Sequence, residues 1–194
     1  MSRYTISREG TTFEIANFPW KAEYPATPKT TVTVSYDDDA IKFHLVSYET
    51  NLRAVETEHN SPVCQDSCME VFMQYAAATD ERYINLEINP NGAVYNAVRY
   101  DRKRSQKIDP ADVAMLGVKT EIFDDRWELD LTVPKAYIQK HLPTYQHGKG
   151  NVMRGNFYKC GELTDHSHFG CFANIEWPQP DYHRPEFFAE FELV

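Results

Sequence analysis

Long apolar runs are missing from this sequence: none approaches the roughly 20 residues that a membrane-spanning helix needs. Polar residues follow Met1-Ser2-Arg3-Tyr4, where a secretory signal places its apolar core. The expectation is a soluble chain that stays in the cytoplasm, with no membrane partner. Basic residues are also in short supply, 20 Lys and Arg against 29 Asp and Glu, for a net charge of -9. That balance repels phosphate backbones, and no Lys/Arg stripe overcomes it locally, so no nucleic acid partner is expected. Cysteine is limited to Cys64, Cys68, Cys160 and Cys171, too few for a disulfide scaffold in a chain long enough to bury a core. Reduced thiols are expected. The Gly-x-Ser-x-Gly elbow, the phosphate loop and His-Glu-x-x-His are all absent. With 8 glycines, no repeat and no low-complexity linker, the 194 residues read as one domain, 1–194.

Aromatic residues are plentiful: 12 Tyr and 11 Phe, many in short runs bounded by Asp, Asn, Gly or Pro, the pattern of sheet strands. Helical periodicity is scarce. Thr31 to Tyr36 and Ile41 to Tyr48 flank Asp37-Asp38-Asp39-Ala40, whose short acidic side chains can bond the turn backbone. Arg82 to Asn89 and Ala93 to Tyr100 flank Asn91-Gly92, the dipeptide that best tolerates the positive φ of tight hairpins. Val118 to Phe123 and Trp127 to Val133 flank Asp124-Asp125, and Pro134, which cannot donate to a ladder, ends the second of them. Further strands are expected at Cys68 to Tyr75, Val152 to Cys160 and Phe187 to Leu193, with short connector helices at Pro110 to Leu116 and Lys135 to Leu142. About nine or ten strands with so little helix predict an all-β fold, an antiparallel two-sheet β-sandwich of jelly-roll type, with a closed barrel as the alternative.

Side chains alternate between the two faces of a strand. Over Cys68 to Tyr75 one set is Met69, Val71, Met73 and Tyr75, a core face; the other is Cys68, Glu70, Phe72 and Gln74. In the next strand Ile84, Leu86 and Ile88 alternate with Tyr83, Asn85, Glu87 and Asn89, which can extend the polar face. An ordinary solvated face carries Lys, Glu and Thr, whereas this one offers amides, carboxylates and rings. Those groups suit a sugar, whose hydroxyls donate and accept hydrogen bonds and whose C–H patches pack on rings. Register decides where Arg99 points. A two-residue Asn91-Gly92 loop pairs it with Ile84 and turns it to the core, and a three-residue bulged loop turns it onto the polar face. Both stay open in the sequence.

Asp66-Ser67-Cys68-Met69-Glu70-Val71-Phe72-Met73, then Tyr83-Ile84-Asn85-Leu86-Glu87-Ile88-Asn89 ahead of Asn91-Gly92-Ala93, resemble the family 9 carbohydrate-binding modules and their stand-alone relatives. Trp127-Glu128-Leu129 with Val133-Pro134, Arg154-Gly155-Asn156-Phe157-Tyr158-Lys159-Cys160-Gly161, and Asp181-Tyr182-His183-Arg184-Pro185-Glu186-Phe187-Phe188 look like further blocks of those relatives, in the same order. The likeness runs from about Tyr36 to Val194. It implies an antiparallel β-sandwich that binds a mono- or oligosaccharide in a cleft without hydrolysing it, often with structural calcium. It further implies Glu70 as first hydroxyl acceptor, Asn156 and Tyr158 as site residues, and a ring at Phe172. Modules with a double aromatic clamp carry one ring just before the Asp-Ser block, where this chain reads Ser61-Pro62-Val63-Cys64-Gln65. Trp20 or Trp177 would have to supply that jaw from a loop.

The expected ligand set is therefore Glu70, Asn85, Asn156 and Arg99 for hydroxyls, with Tyr158, Phe172 or Trp177 stacking on the sugar. Trp127, alternating with Leu129, Leu131 and Val133, reads as core. Trp177 in Glu176-Trp177-Pro178 stands on a loop, where Trp is seldom found without a reason. His183-Arg184-Pro185-Glu186 is the tightest polar group and reads first as the start of a strand. Cys160, His166, His168 and Cys171 have donor types suited to zinc, but their spacing matches no common zinc module. Free thiols are the first reading there, a Cys160–Cys171 disulfide another, and no metal or other cofactor is assigned. Asp37-Asp38-Asp39 and Asp124-Asp125 read as turns rather than calcium sites. Two further functions stay open: a sugar-processing hydrolase using the Cys/His group or paired carboxylates such as Glu70 and Glu87, and a structural or partner-binding sandwich without sugar binding.

Overall fold

In the computed structural model, which describes residues 3–194, thirteen strands form two sheets. They are β1 (Arg3–Ile6), β2 (Thr11–Glu14), β3 (Thr30–Tyr36), β4 (Ala40–Ser47), β5 (Cys68–Gln74), β6 (Tyr83–Ile88) and β7 (Val94–Arg99). After these come β8 (Ser105–Lys107), β9 (Gly117–Ile122), β10 (Trp127–Pro134), β11 (Val152–Gly161), β12 (His168–Cys171) and β13 (Ala189–Leu193). The larger sheet runs β1-β13-β11-β5-β6-β7-β8, with β12 paired to β11; the smaller runs β2-β3-β4-β10-β9. Neighbours are antiparallel except β1 and β13, which run parallel. The expected sandwich is present. Among the described residues the one α-helix, α1 (Lys135–His141), and a 3-10 turn at Pro110–Met115 capped by Asp109 fall at the two connectors predicted.

Strict alternation builds the core. In β10, Trp127, Leu129, Leu131 and Val133 are buried while Glu128, Asp130 and Thr132 face away. They pack with Phe43 and Leu45 of β4 against Met69, Val71 and Met73 of β5, Ile84, Leu86 and Ile88 of β6, and Phe157 of β11. Burying a side chain of this size contributes about 1.5–3 kcal/mol. Gly155 of β11 sits where this packing is tightest: a Cβ there would lie 2.5 Å from the Phe72 carbonyl oxygen and 2.6 Å from Met73 Sδ. Backbone cannot yield as a side chain does. Gly155→Ala is expected to cost about 1–3 kcal/mol, typical of overpacking, and an unchanged thermal midpoint would show that the strands separate freely.

The turns follow local chemistry. Asp37 Oδ1 accepts from the Asp39 and Ala40 amides, both at 2.9 Å, closing the β3–β4 hairpin. Between β6 and β7 the Asn89 amide still bonds Ala93 O at 3.3 Å, which leaves a three-residue turn, Pro90-Asn91-Gly92; Gly92 takes a positive φ, 75°, and its amide bonds Asn89 O at 2.9 Å. Tyr83 consequently pairs with Arg99 and Ile84 with Val98, which puts Arg99 on the polar face. β1, β2, β8 and β12 were not expected from the sequence. Each has three or four residues, too few to display a period.

The central strands of the larger sheet are buried on both sides. Beneath its outer face a second apolar cluster gathers Phe72, Tyr83, Tyr158, Cys68 and Cys160 with Trp20, Ile175, Tyr182 and Phe188 from covering loops. Every residue of β5 and β6 is buried as a result. The polar set read from these strands is therefore roofed rather than solvated.

Candidate functional site

On that outer face, cross-strand pairing lines up Cys160 with Cys68, Tyr158 with Glu70, Glu70 with Glu87, and Glu87 with Tyr95. The roof leaves a cavity of about 100 Å³ above the row. Glu70 and Glu87 form its floor, Phe72, Phe169 and Tyr182 bring rings to it, and Arg102, Asp181 and His183 complete it from two loops. At about 30 Å³ per water, the space takes about three waters or the hydroxyl-bearing edge of one small ring.

Its electrostatics are set by burial. Burial pushes the Glu70 carboxyl well above the usual range, and repulsion from Glu87 adds to the shift. Glu87 is pushed up to about 7 by burial, opposed by a hydrogen bond from Asn85 and by the Arg99 charge. That opposition is a chain of bonds: Arg99 Nε donates to Asn85 Oδ1 at 2.7 Å, and Asn85 Nδ2 donates to Glu87 Oε1 at 2.8 Å. Burial lowers His183 to about 3, helped by Arg99 and Arg102. The ring is therefore neutral. It stacks on Phe72 at 5.0 Å, and its Nδ1 shares a hydrogen bond with Tyr83 Oη at 2.9 Å. Arg102 Nε donates to Asp181 Oδ1 at 2.8 Å, tying the β7–β8 turn to the covering loop.

Of the seven residues expected to meet a ligand, Glu70 lines the cavity. Asn85 and Arg99 lie behind it as the brace of Glu87. Asn156 is turned to the chain after β12: its Oδ1 accepts from the Phe157 and Ala173 amides and its Nδ2 donates to Ala173 O, so backbone engages the amide that was expected to meet hydroxyls. Tyr158 offers no free ring, because Tyr182 stacks on it at 4.1 Å and an interplanar angle of 10°. Tyr182 is the ring beside the cavity. Phe172 points between the sheets, where its ring meets Tyr4, Phe13, Phe157 and Phe191. Trp177 is exposed, with the Arg184 guanidinium 3.4 Å above its ring. Trp20 is buried behind Phe169 and Tyr182, its indole N–H donating to Trp177 O at 2.8 Å. Neither tryptophan stands in the cavity wall.

Sequence reasoning did not single out Arg102, Phe169, Asp181 or Tyr182 as ligand residues. The Asp181-Tyr182-His183 block carried a signal for three of the cavity's residues, and the strand pattern had already put Glu87 on the right face. The zinc-suited donors Cys160, His166, His168 and Cys171 do not assemble, in line with the first reading of free thiols: His168 Nε2 faces Glu49 at 3.9 Å and Cys171 pairs with Tyr158 across the strands. All four cysteines are free. Calcium finds no converging carboxylates at the acidic turns, since Asp37, Asp38 and Asp39 are bound to Lys42, Arg8 and Lys135 respectively, and Asp125 to Arg126.

A sequence model of the family described as carbohydrate-binding family 9 matches residues 6–193. The chain belongs to carbohydrate-binding family 9. Among solved structures, this family 9 chain is similar to a candidate carbohydrate-binding protein from Bacteroides uniformis ATCC 8492, with 22% identity and a TM-score of 0.87 over 100% of this chain and 99% of that one. It is also similar to a family 9 module from Caldicellulosiruptor kristjanssonii in complex with glucose, at 11% identity and TM-score 0.70 over 100% and 96% of the two chains. A module of that family and organism in complex with cellotriose shows 12% identity and TM-score 0.64 over 99% and 93%. At these identities the likeness is one of fold. No curated protein matches the sequence.

Proposed function

We propose that this family 9 chain binds a saccharide, without cleaving it, in the cavity above Glu70 and Glu87. The observation that carries this reading is the pair of cavity-facing carboxyls beside three rings on the outer face of the larger sheet. Carboxyl oxygens accept from hydroxyls, Arg102 supplies donors, and Phe72, Phe169 and Tyr182 offer faces or edges to C–H groups. The glucose and cellotriose complexes of modules with this fold support a sugar as the ligand.

Glu70 and Glu87 also motivate the hydrolase reading, because directly paired residues have Cβ atoms about 4.5–5.5 Å apart and retaining glycosidases hold their carboxyls at roughly 5–5.5 Å. Such chemistry needs one carboxylate ionised while its partner is protonated. Here burial raises both, while the modules of this fold solved with glucose and with cellotriose are named as binding modules. Binding is the better match.

Calorimetric titration with mono- and oligosaccharides tests the proposal. Leaving a buried sugar hydroxyl without its partner costs about 1–3 kcal/mol, so Glu70→Ala is expected to weaken binding by about tenfold. His166→Ala, in a different hollow beside Thr50 and Asn51, is expected to leave affinity unchanged, and the sugar should be recovered intact. Equal affinity in wild type and Glu70→Ala would overturn the assignment. No heat with any sugar near millimolar concentration would favour a protein-interaction module instead.

A further inference from the structure

The bottom of the cavity holds an unusual donor set. Cys68 and Cys160 face one another across β5 and β11, and Glu70 stands two residues along β5 on the same face. Their two sulfurs and a carboxylate oxygen all lie within 4.8 Å of one another, and all three residues are buried. We propose that Cys68, Cys160 and Glu70 form a binding site for a thiophilic divalent metal ion, zinc above all, which shares the Glu70 carboxyl with the saccharide reading but does not rest on it.

The geometry is near closure. Tetrahedral zinc, with bonds of about 2.3 Å to sulfur and about 2.0–2.2 Å to oxygen, needs donors about 3.5–3.8 Å apart. Side-chain rotation of about an ångström achieves that while the paired strands hold the backbone. Glu70 and Cys160 also line the cavity, so the fourth coordination position opens onto it and takes a solvent oxygen. Two sulfurs select against calcium and magnesium, which prefer all-oxygen sites.

A purely structural cluster explains less. Thiols pack well as small apolar groups, but a carboxyl buried among them is costly to keep without a charged or strongly hydrogen-bonding partner.

The test uses the full chain, reduced with a phosphine, stripped with a chelator and titrated with cobalt(II) and then zinc. One equivalent of cobalt is expected to give a thiolate-to-metal charge-transfer band with tetrahedral d–d bands, which zinc abolishes. Cys68→Ser and Cys160→Ser should each lose the band, and Glu70→Gln should weaken zinc affinity by about tenfold or more. Where a serine variant misfolds, wild-type alkylation serves instead: zinc should slow modification of Cys68 and Cys160 relative to Cys171. No cobalt band, a band that survives in the double serine variant, or a Cys68–Cys160 disulfide in protein that takes up no metal once reduced would each overturn the proposal. Sugar titrations on the chelated protein keep this outcome separate from that of the saccharide site.

Discussion

Glu49→Ala is expected to lower stability by about 3–5 kcal/mol, the cost of stranding a buried charge. The stranded charge is Lys159. It lies on the inward register of β11 between Phe157 and Gly161 and is fully buried. Its Nζ is 2.9 Å from Glu49 Oε2 and donates to Cys160 O at 2.9 Å. Glu49 lies in the chain after β4, where Ser67 Oγ donates to its Oε1 at 3.0 Å. Burial works against its charge, but Lys159 and His168 outweigh that and hold the carboxyl below its ordinary value. Alanine removes the counter-ion and leaves an ammonium with one carbonyl partner inside the protein. At about 2–4 °C per kcal/mol for a chain of this size, the thermal midpoint should drop by about 10 °C or more. The double variant Glu49→Gln/Lys159→Met removes both charges and should recover most of the loss. A Glu49→Ala midpoint within about 2 °C of wild type would show that water reaches Lys159 and that the ion pair is dispensable.

That ion pair marks a limit of reading along the chain. Alternation places Lys159 on the core face, yet nothing in the pattern announces that Glu49, from the other sheet's connection, comes to meet it. Short-range chemistry was legible: the Asp37 turn, the Asp109 cap, the strand stop at Pro134 and the two faces of β5 and β6 all follow from neighbouring residues. The register of Arg99 was not, because the three-residue loop is fixed by Asn89, whose Oδ1 accepts from the Ala93 amide while its Nδ2 reaches Asp66. The site divides the same way. Glu70 could be found from its block and Glu87 from alternation, whereas Tyr182 takes the place expected for Tyr158 only because its loop folds back and stacks on it. Phe172 follows β12 in sequence but turns inward after Cys171 bridges to Asn17. Periodicity says which face a strand side chain takes and is silent on which loop will cover it.

Glu87 has the second large expected effect, and it appears as pH dependence. With a folded value of about 7 against an ordinary 4.5, the fold favours the protonated carboxyl. Below about 4.5 both folded and unfolded chains carry the proton, and its stabilising contribution is fully present. Between about 4.5 and 7 the unfolded chain releases the proton while the folded chain keeps it, so stability falls as pH rises, by about 3 kcal/mol once the folded carboxyl has ionised. Glu70 acts with the same sign. His183 and His168, lowered to about 3 and about 4, act oppositely: their contribution is present above about 6.5 and is lost as pH falls toward those values. The raw profile is thus a dome, and Glu87 is isolated by difference. Glu87→Gln keeps an acceptor for Asn85 without the charge; it should be more stable than wild type by about 3 kcal/mol at pH 8 and equal to it near pH 4, as read by urea denaturation. A difference that is the same at both pH values would mean that Glu87 holds no proton in the fold. The same variant is expected to weaken saccharide binding, because an ionised carboxylate accepts more strongly from hydroxyls than an amide does. On the proposed saccharide reading, a Glu kept where Gln is the more stable residue exchanges stability for a charge that binding uses, as functional sites do.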